Sequence, residues 1–131
     1  MSDDRLSFKE MCARFDVTPR TLRYYEYIEL LKPDRENRSR FYGSRECARM
    51  ELILRGRKFG FQLEEIRQWL MIYENDGTTA QNHAFLEMAN RQIIELTNQR
   101  QQIGEALGEL TNLRNETAKG LGQHSPLHLP D

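Results

Sequence analysis

The chain has 131 residues, 30% charged and 38% hydrophobic, enough for one ordinary domain or a small domain plus one long element. No apolar run is long enough to span a bilayer, and the start, MSDDRLSFKE, lacks a basic-then-apolar signal pattern, so the expectation is a cytoplasmic protein with no membrane partner. Cys12 and Cys47 alone make neither a disulfide framework nor a four-cysteine metal or iron–sulfur site held by this chain.

The net charge of −1 hides an asymmetry: residues 1–73 carry 15 Lys+Arg against 12 Asp+Glu, and residues 74–131 carry 4 against 8. Residues 20–58 alone hold 11 basic and 6 acidic side chains. A local basic patch, more than the overall balance, decides whether a surface attracts phosphate, although a charge run can equally be a solvated face.

Ser7-Phe8-Lys9-Glu10 reads as a capping box that opens a short helix to about Phe15. Asp16-Val17 is a tight connection. Thr18 caps a second helix, Pro19 suits its first turn, and Pro33 blocks its continuation past about Glu29. Two short helices across a tight turn form a helix-turn-helix pattern. In the second, Arg20, Arg23, Tyr24 and Tyr27 share one face, while Leu22 and Ile28 point elsewhere. Such a face suits phosphates and base edges; a solvated arginine face is the alternative.

Residues 34–42, DRENRSRFY, are basic and turn-rich. Arg38, Arg40 and Tyr42 alternate with Ser39 and Phe41, as in a hairpin strand that would form a wing and bring these residues along the phosphate backbone of DNA; a disordered basic loop is the other reading. Ser44 is expected to cap a third helix, with Met50, Ile53 and Leu54 as its apolar stripe and Gly60 at its end. A fourth helix spans Gln62–Tyr73, with Leu63, Ile66, Trp69 and Leu70 toward the core. Asn75-Asp76-Gly77 is a turn.

Thr78-Thr79-Ala80-Gln81 signals another helix start, and no proline occurs between 79 and 118, a span of roughly 60 Å if helical. A heptad frame fits: Leu86, Ile93 and Leu107 on one seam position, Ala89, Leu96, Ile103 and Leu110 on the other, with Arg100 and Arg114 interrupting the first. So long a stripe outruns a domain this small and is expected to pair with a second copy, the alternative being that it folds back on its own domain. The tail, GLGQHSPLHLPD, is expected to be disordered.

Arg20-Thr21-Leu22-Arg23-Tyr24-Tyr25-Glu26 resembles the recognition-helix signature of MerR-type transcriptional regulators. The likeness continues through Leu30-Leu31, Pro33, Arg35, Asn37, Arg40, Tyr42 and Gly60-Phe61-x-Leu63-Glu64-Glu65-Ile66, over about residues 6–73, followed by the expected long helix. The resemblance implies a mainly α fold: a winged helix-turn-helix DNA-binding domain (1–73), then a linker turn and a long helix dimerising as an antiparallel coiled coil (74–118), then the tail (119–131). It implies that Arg20, Thr21, Arg23, Tyr24 and Tyr25 sit at DNA, that Arg40 and Tyr42 belong to the wing, and that Arg57 and Lys58 touch phosphate. Dimerisation falls to Leu86, Ile93, Leu96, Ile103, Leu107 and Leu110.

Four residues at three sites depart from the family pattern. Asp16 and Glu29 stand where a glycine is usual, and Arg38-Ser39 replaces a common Gly-Tyr. The turn, helix end and wing tip are therefore expected to differ in shape, with Arg38 adding a phosphate contact.

Several members of that family bind soft metals through cysteines in and beyond the long helix. Here no cysteine follows Cys47, so mercury, copper(I) or cluster sensing of that type is not expected. Cys12 and Cys47 read as core, and His83, His124 and His128 are too scattered for a zinc site. No metal or other cofactor is expected. A small-molecule effector could sit where Tyr73, His83 and Phe85 meet a partner subunit, although these residues could equally only pack.

The resemblance implies a sequence-specific transcriptional regulator. It would act as a homodimer on double-stranded, palindromic promoter DNA and distort the promoter spacer, and so reach RNA polymerase indirectly. The alternatives are an architectural DNA-binding protein without an effector response, and a coiled-coil interaction protein, against which Arg20, Arg23 and Arg40 argue. No paired carboxylates, nucleophile–base constellation or phosphate-cradling loop suggests an enzyme.

Overall fold

A computed structural model describes residues 5–121; the tail from Gly122 onward, with His124 and His128, lies outside the described residues. The chain forms two compact units, residues 1–87 and 88–131. The first is a helical unit with a small sheet, and the second contains the later part of the long helix.

The sheet and the helices it braces begin together. Strand β1 (Leu6–Ser7) leads into helix α1 (Phe8–Phe15). The Ser7 hydroxyl accepts the Glu10 N–H at 3.2 Å, and the Ser7 N–H donates to Glu10 Oε1 at 2.8 Å, the reciprocal capping expected of this tetrapeptide. Asp16 closes α1 with a left-handed backbone (φ 54°), which lets the Val17 N–H reach the Cys12 carbonyl at 3.1 Å.

Helix α2 (Pro19–Tyr27) opens on Thr18, whose Oγ1 accepts the Thr21 N–H at 3.0 Å. It ends two residues before the expected Glu29. Glu29 turns left-handed (φ 66°), and the N–H of Leu30 bonds the Tyr25 carbonyl at 2.9 Å. The stop therefore comes from this closure, which carries Leu30 and Leu31 into the core, ahead of Pro33.

Strands β2 (Asp34–Glu36) and β3 (Ser39–Tyr42) form the wing hairpin, with Arg35 opposite Arg40 and Glu36 opposite Ser39. Strand β1 pairs with the other edge of β3, giving an antiparallel order β1-β3-β2. Asn37 and Arg38 make the turn, so Arg38 lies at the wing tip and not in the strand. The left-handed residue there is Asn37 (φ 59°), a type that tolerates this conformation.

Helix α3 (Ser44–Lys58) is capped by Gly43 without a side-chain hydrogen bond, so Ser44 lies in its first turn instead of capping it. Gly60 (φ 94°) closes the helix, with the Phe61 N–H on the Gly56 carbonyl at 3.0 Å. Gly56 is buried because the next helix crosses close by: a Cβ at Gly56 would stand 2.8 Å from Ile66 Cδ1.

Helix α4 (Leu63–Lys119) has one break, at Gly77 (φ 88°, ψ −176°). The expected three-residue turn contracts to this glycine, in a backbone region that side-chain-bearing residues essentially do not visit. The two sides of the break are tied together. Trp69 Nε1 donates to the Gln81 carbonyl at 3.0 Å, the Gln81 amide donates to the Trp69 carbonyl at 3.5 Å, and the Trp69 and Phe85 rings lie 6.0 Å apart.

Met11, Leu22, Leu30, Tyr42, Met50 and Ile53 form the fully buried centre of the first unit. In the second unit, Ile93, Leu96, Ile103, Leu107 and Leu110 are 42–67% exposed. Among the described residues, no helix is long and apolar enough to cross a membrane.

Candidate nucleic-acid interface

Pro19 and the Thr18 cap aim α2 so that Leu22 and Tyr25 enter the core. By helical geometry this leaves Arg20, Arg23, Tyr24 and Tyr27 outward, and all four are exposed, Tyr24 by 50% and Tyr27 by 83%. Thr21 is half-buried, and its hydroxyl lies 3.0 Å from that of Thr18, so it belongs to the cap as much as to the surface.

Two of the residues expected at DNA are in the core. Tyr25 is buried because α2 turns that side inward, and Tyr42 is fully buried because β3 alternates and its inward face holds Tyr42. Neither side chain is presented to a ligand. Burial, and then its hydrogen bond to Glu26, push the Tyr42 hydroxyl far above the ordinary phenol range. Burial likewise raises Tyr25, partly opposed by Arg57.

The cations separate into free and engaged ones. Arg20, Arg23, Arg38 and Lys58 make no ion pair among the described residues. Arg23 stands over the Phe8 ring at 5.4 Å, a cation–π distance that orients its guanidinium. Arg57 is exposed and donates to the Phe61 carbonyl at 3.0 Å, which pins it at the α3 terminus. Arg40 is engaged: its Nε lies 2.9 Å from Glu26 Oε1, and its guanidinium lies 5.2 Å from the Phe8 ring.

Sequence reasoning passed over Glu26, Phe8 and Arg5. Glu26 accepts from the Tyr42 hydroxyl and pairs with Arg40, joining α2 to β3. Phe8 is the ring between Arg23 and Arg40. Arg5 stacks on Phe41 at 4.5 Å and pairs with Glu36 at 2.6 Å, bracing the wing. One signal was available: Glu26 is the single acidic residue in α2, a helix otherwise suited to phosphate.

A second network supports the interface from behind. Glu46 is buried and accepts the Lys32 N–H at 2.8 Å. Arg49 donates to the Leu30 carbonyl at 3.0 Å and pairs with Glu74 at 3.2 Å, and Arg45 also pairs with Glu74. The chain leaving α2 is thus held to α3 and to α4 just ahead of Gly77.

The residues expected to meet an effector do not close a site within the described chain. Tyr73, His83 and Phe85 are exposed, and Phe85 rests on Trp69. Among the described residues there is no group of three or more His, Cys, Asp or Glu side chains able to hold a metal. Cys47 is buried and Cys12 half-buried, and burial raises both thiols above the ordinary cysteine value.

A helix-turn-helix with a hairpin wing and an outward arginine–tyrosine face defines a winged-helix DNA-binding protein. Comparison with known proteins gives the family. The profile described as "MerR HTH family regulatory protein" matches residues 6–71, and "MerR, DNA binding" matches residues 47–113. The HTH-type transcriptional regulator HmrR of Rhizobium leguminosarum bv. viciae is 31% identical over 104 residues, 75% of this chain and 81% of that protein. Among solved structures, a MerR family transcriptional regulator from Bacillus cereus superimposes with a TM-score of 0.72 at 26% identity, over 96% of this chain and 87% of that one. HiNmlR, a MerR family regulator lacking the sensor domain and bound to promoter DNA, shares the fold, with a TM-score of 0.67 at 19% identity over 96% of this chain and 97% of that one. The chain belongs to the MerR family and is a DNA-binding transcriptional regulator.

Proposed function

We propose that the protein acts as a homodimer on a palindromic promoter site and regulates transcription by distorting the spacer between the promoter elements. The observation that carries this reading is the apolar seam of α4, in which Ile93, Leu96, Ile103, Leu107 and Leu110 stand exposed at heptad spacing. A seam of this kind is covered most simply by a second copy of itself, and a two-fold dimer reads a site with the same symmetry. In this reading residues 1–73 carry the DNA contacts and residues 74–118 the dimer.

Arg20, Arg23 and Tyr24 are assigned to the major groove, with Thr21 behind them at the cap. Arg38 at the wing tip and Arg57 and Lys58 at the end of α3 are assigned to phosphates, which fix position and carry no sequence information themselves. Bending a duplex site of about 20–30 base pairs costs roughly 1–6 kcal/mol, which phosphate contacts from two subunits would offset.

The test has two parts. Selection from random duplexes followed by footprinting should return a protected site with dyad symmetry, and chemical probing of that site should show unstacked or kinked base pairs at its centre. An asymmetric site, or a symmetric one with undistorted central pairs, would overturn the dimer or the distortion respectively.

A further inference from the structure

The carboxylate of Glu26 is 9% exposed, and both its oxygens face the wing: Oε1 lies 2.9 Å from Arg40 Nε, and Oε2 accepts from the fully buried Tyr42 hydroxyl. The Arg40 side chain is only 28% exposed. Arg23 and Arg40 approach the same Phe8 ring, at 5.4 and 5.2 Å. Two arginines, one from each DNA-facing element, therefore stand at one aromatic ring. Among the described residues, Arg40 is paired with a carboxylate and Arg23 is not.

This pairing changes what Arg40 can do. A guanidinium contributes to DNA affinity by displacing condensed counterions from phosphate. An arginine already neutralised by a largely buried carboxylate must first lose that partner, leaving an uncompensated charge in the protein. We propose that Glu26 is a positioning residue that withholds Arg40 from the DNA phosphates, making Arg40 a strut between the wing and the recognition helix and leaving Arg23 as the cation this corner offers to DNA. The inference rests on the reading above that α2 and the wing lie against DNA. It departs from the sequence expectation that wing residue Arg40 contacts the backbone.

The experiment is a salt titration of binding to a selected operator duplex and to a random duplex. It uses the wild-type chain, Glu26→Gln, and Glu26→Gln combined with Arg40→Gln. The slope of log affinity against log salt is about −0.9 for each phosphate neutralised. Glu26→Gln frees Arg40, so the slope should steepen by about 0.9 per chain, or about 1.8 for a dimer. The double variant removes the pair as a unit, leaves no unpaired buried charge, and should return to the wild-type slope.

Several outcomes would overturn the proposal. A double variant with a slope flatter than wild type by about 0.9 per chain would mean that Arg40 already neutralises a phosphate. A Glu26→Gln slope equal to wild type would mean that nothing was withheld. A double variant as steep as Glu26→Gln would mean that Glu26 acts without Arg40. If Glu26→Gln alone fails to fold, the double variant against wild type still decides the first point. A wild-type chain that protects a single half-site overturns the dimer and halves the expected increment without changing its sign, so the two readings fail separately.

Discussion

Arg23 leaves the recognition helix between Leu22, which is fully buried, and Tyr24, which is half exposed. Its guanidinium is steadied by Phe8 and has no carboxylate partner among the described residues. An arginine held this way is suited to bidentate contact with a guanine edge. Arg23→Ala should therefore narrow the affinity gap between operator and random DNA by roughly 1–3 kcal/mol, measured as paired dissociation constants at fixed salt. An equal loss on both DNAs would make α2 a backbone clamp. The two thiols give a second expectation at this scale. Both are raised by burial first, so the thiolate fraction of each at neutral pH is below that of free cysteine. Labelling with a chromogenic disulfide at pH 7 should be slow in the native protein and should accelerate in urea. A native Cys12 that reacts at the free-thiol rate would contradict this.

The three short helices of the first unit end by the same device, a left-handed residue that sends the next N–H back to a carbonyl of the last turn. Gly60 serves α3, but Asp16 serves α1 and Glu29 serves α2. The sequence departures at Asp16 and Glu29 thus leave the left-handed backbone in place, and their cost is strain. Glutamate is the residue of the three least suited to this conformation. Glu29→Gly should stabilise the fold by about 0.5–1 kcal/mol, and Gly60→Ala should destabilise it by about 1–2 kcal/mol, read as shifts of the urea midpoint at constant slope. The caps at Ser7 and Thr18 and the wing hairpin were legible because they depend on chemistry within four residues, whereas α3 starts on Gly43 and not on the expected Ser44. The stop of α2 was not, because Leu30 and Leu31 are claimed by a core that no local pattern reveals. The burial of Tyr25 and Tyr42 was not legible for the same reason: a tyrosine in a family motif can serve the site through its ring or the fold through its burial, and spacing does not separate the two. Glu26 was missed because its partners, Tyr42 and Arg40, lie 16 and 14 positions away.

At the scale of the whole molecule, the long helix is where composition and structure agree most directly. Its heptad leucines and isoleucines were legible as a seam, and they are exposed in the single chain. Placing aspartate on that seam would bury an unpaired charge on association. Leu107→Asp should weaken the dimer by at least the roughly 2–5 kcal/mol that loss of a buried leucine costs, yielding monomers in sedimentation equilibrium and reduced operator affinity. Wild-type chains that sediment as monomers at micromolar concentration would remove the basis of this expectation. The break at Gly77 was legible as a turn but not in its economy: Asn75 and Asp76 stay helical, and one glycine absorbs the change of direction.

That break also supplies an optical probe. Trp69 is the single tryptophan of the chain, and its indole N–H is the donor that reaches across to Gln81 while its ring rests near Phe85. Emission from one fluorophore therefore monitors the angle at Gly77 without any label. Opening there would expose the indole to water and move its emission to longer wavelength. Gly77→Ala, which imposes a strain of about 1–3 kcal/mol on that backbone geometry, should produce such a red shift in the unliganded protein. Operator DNA or a candidate effector can then be screened by the same spectrum, with the wild-type and Gly77→Ala emission maxima as the two ends of the scale.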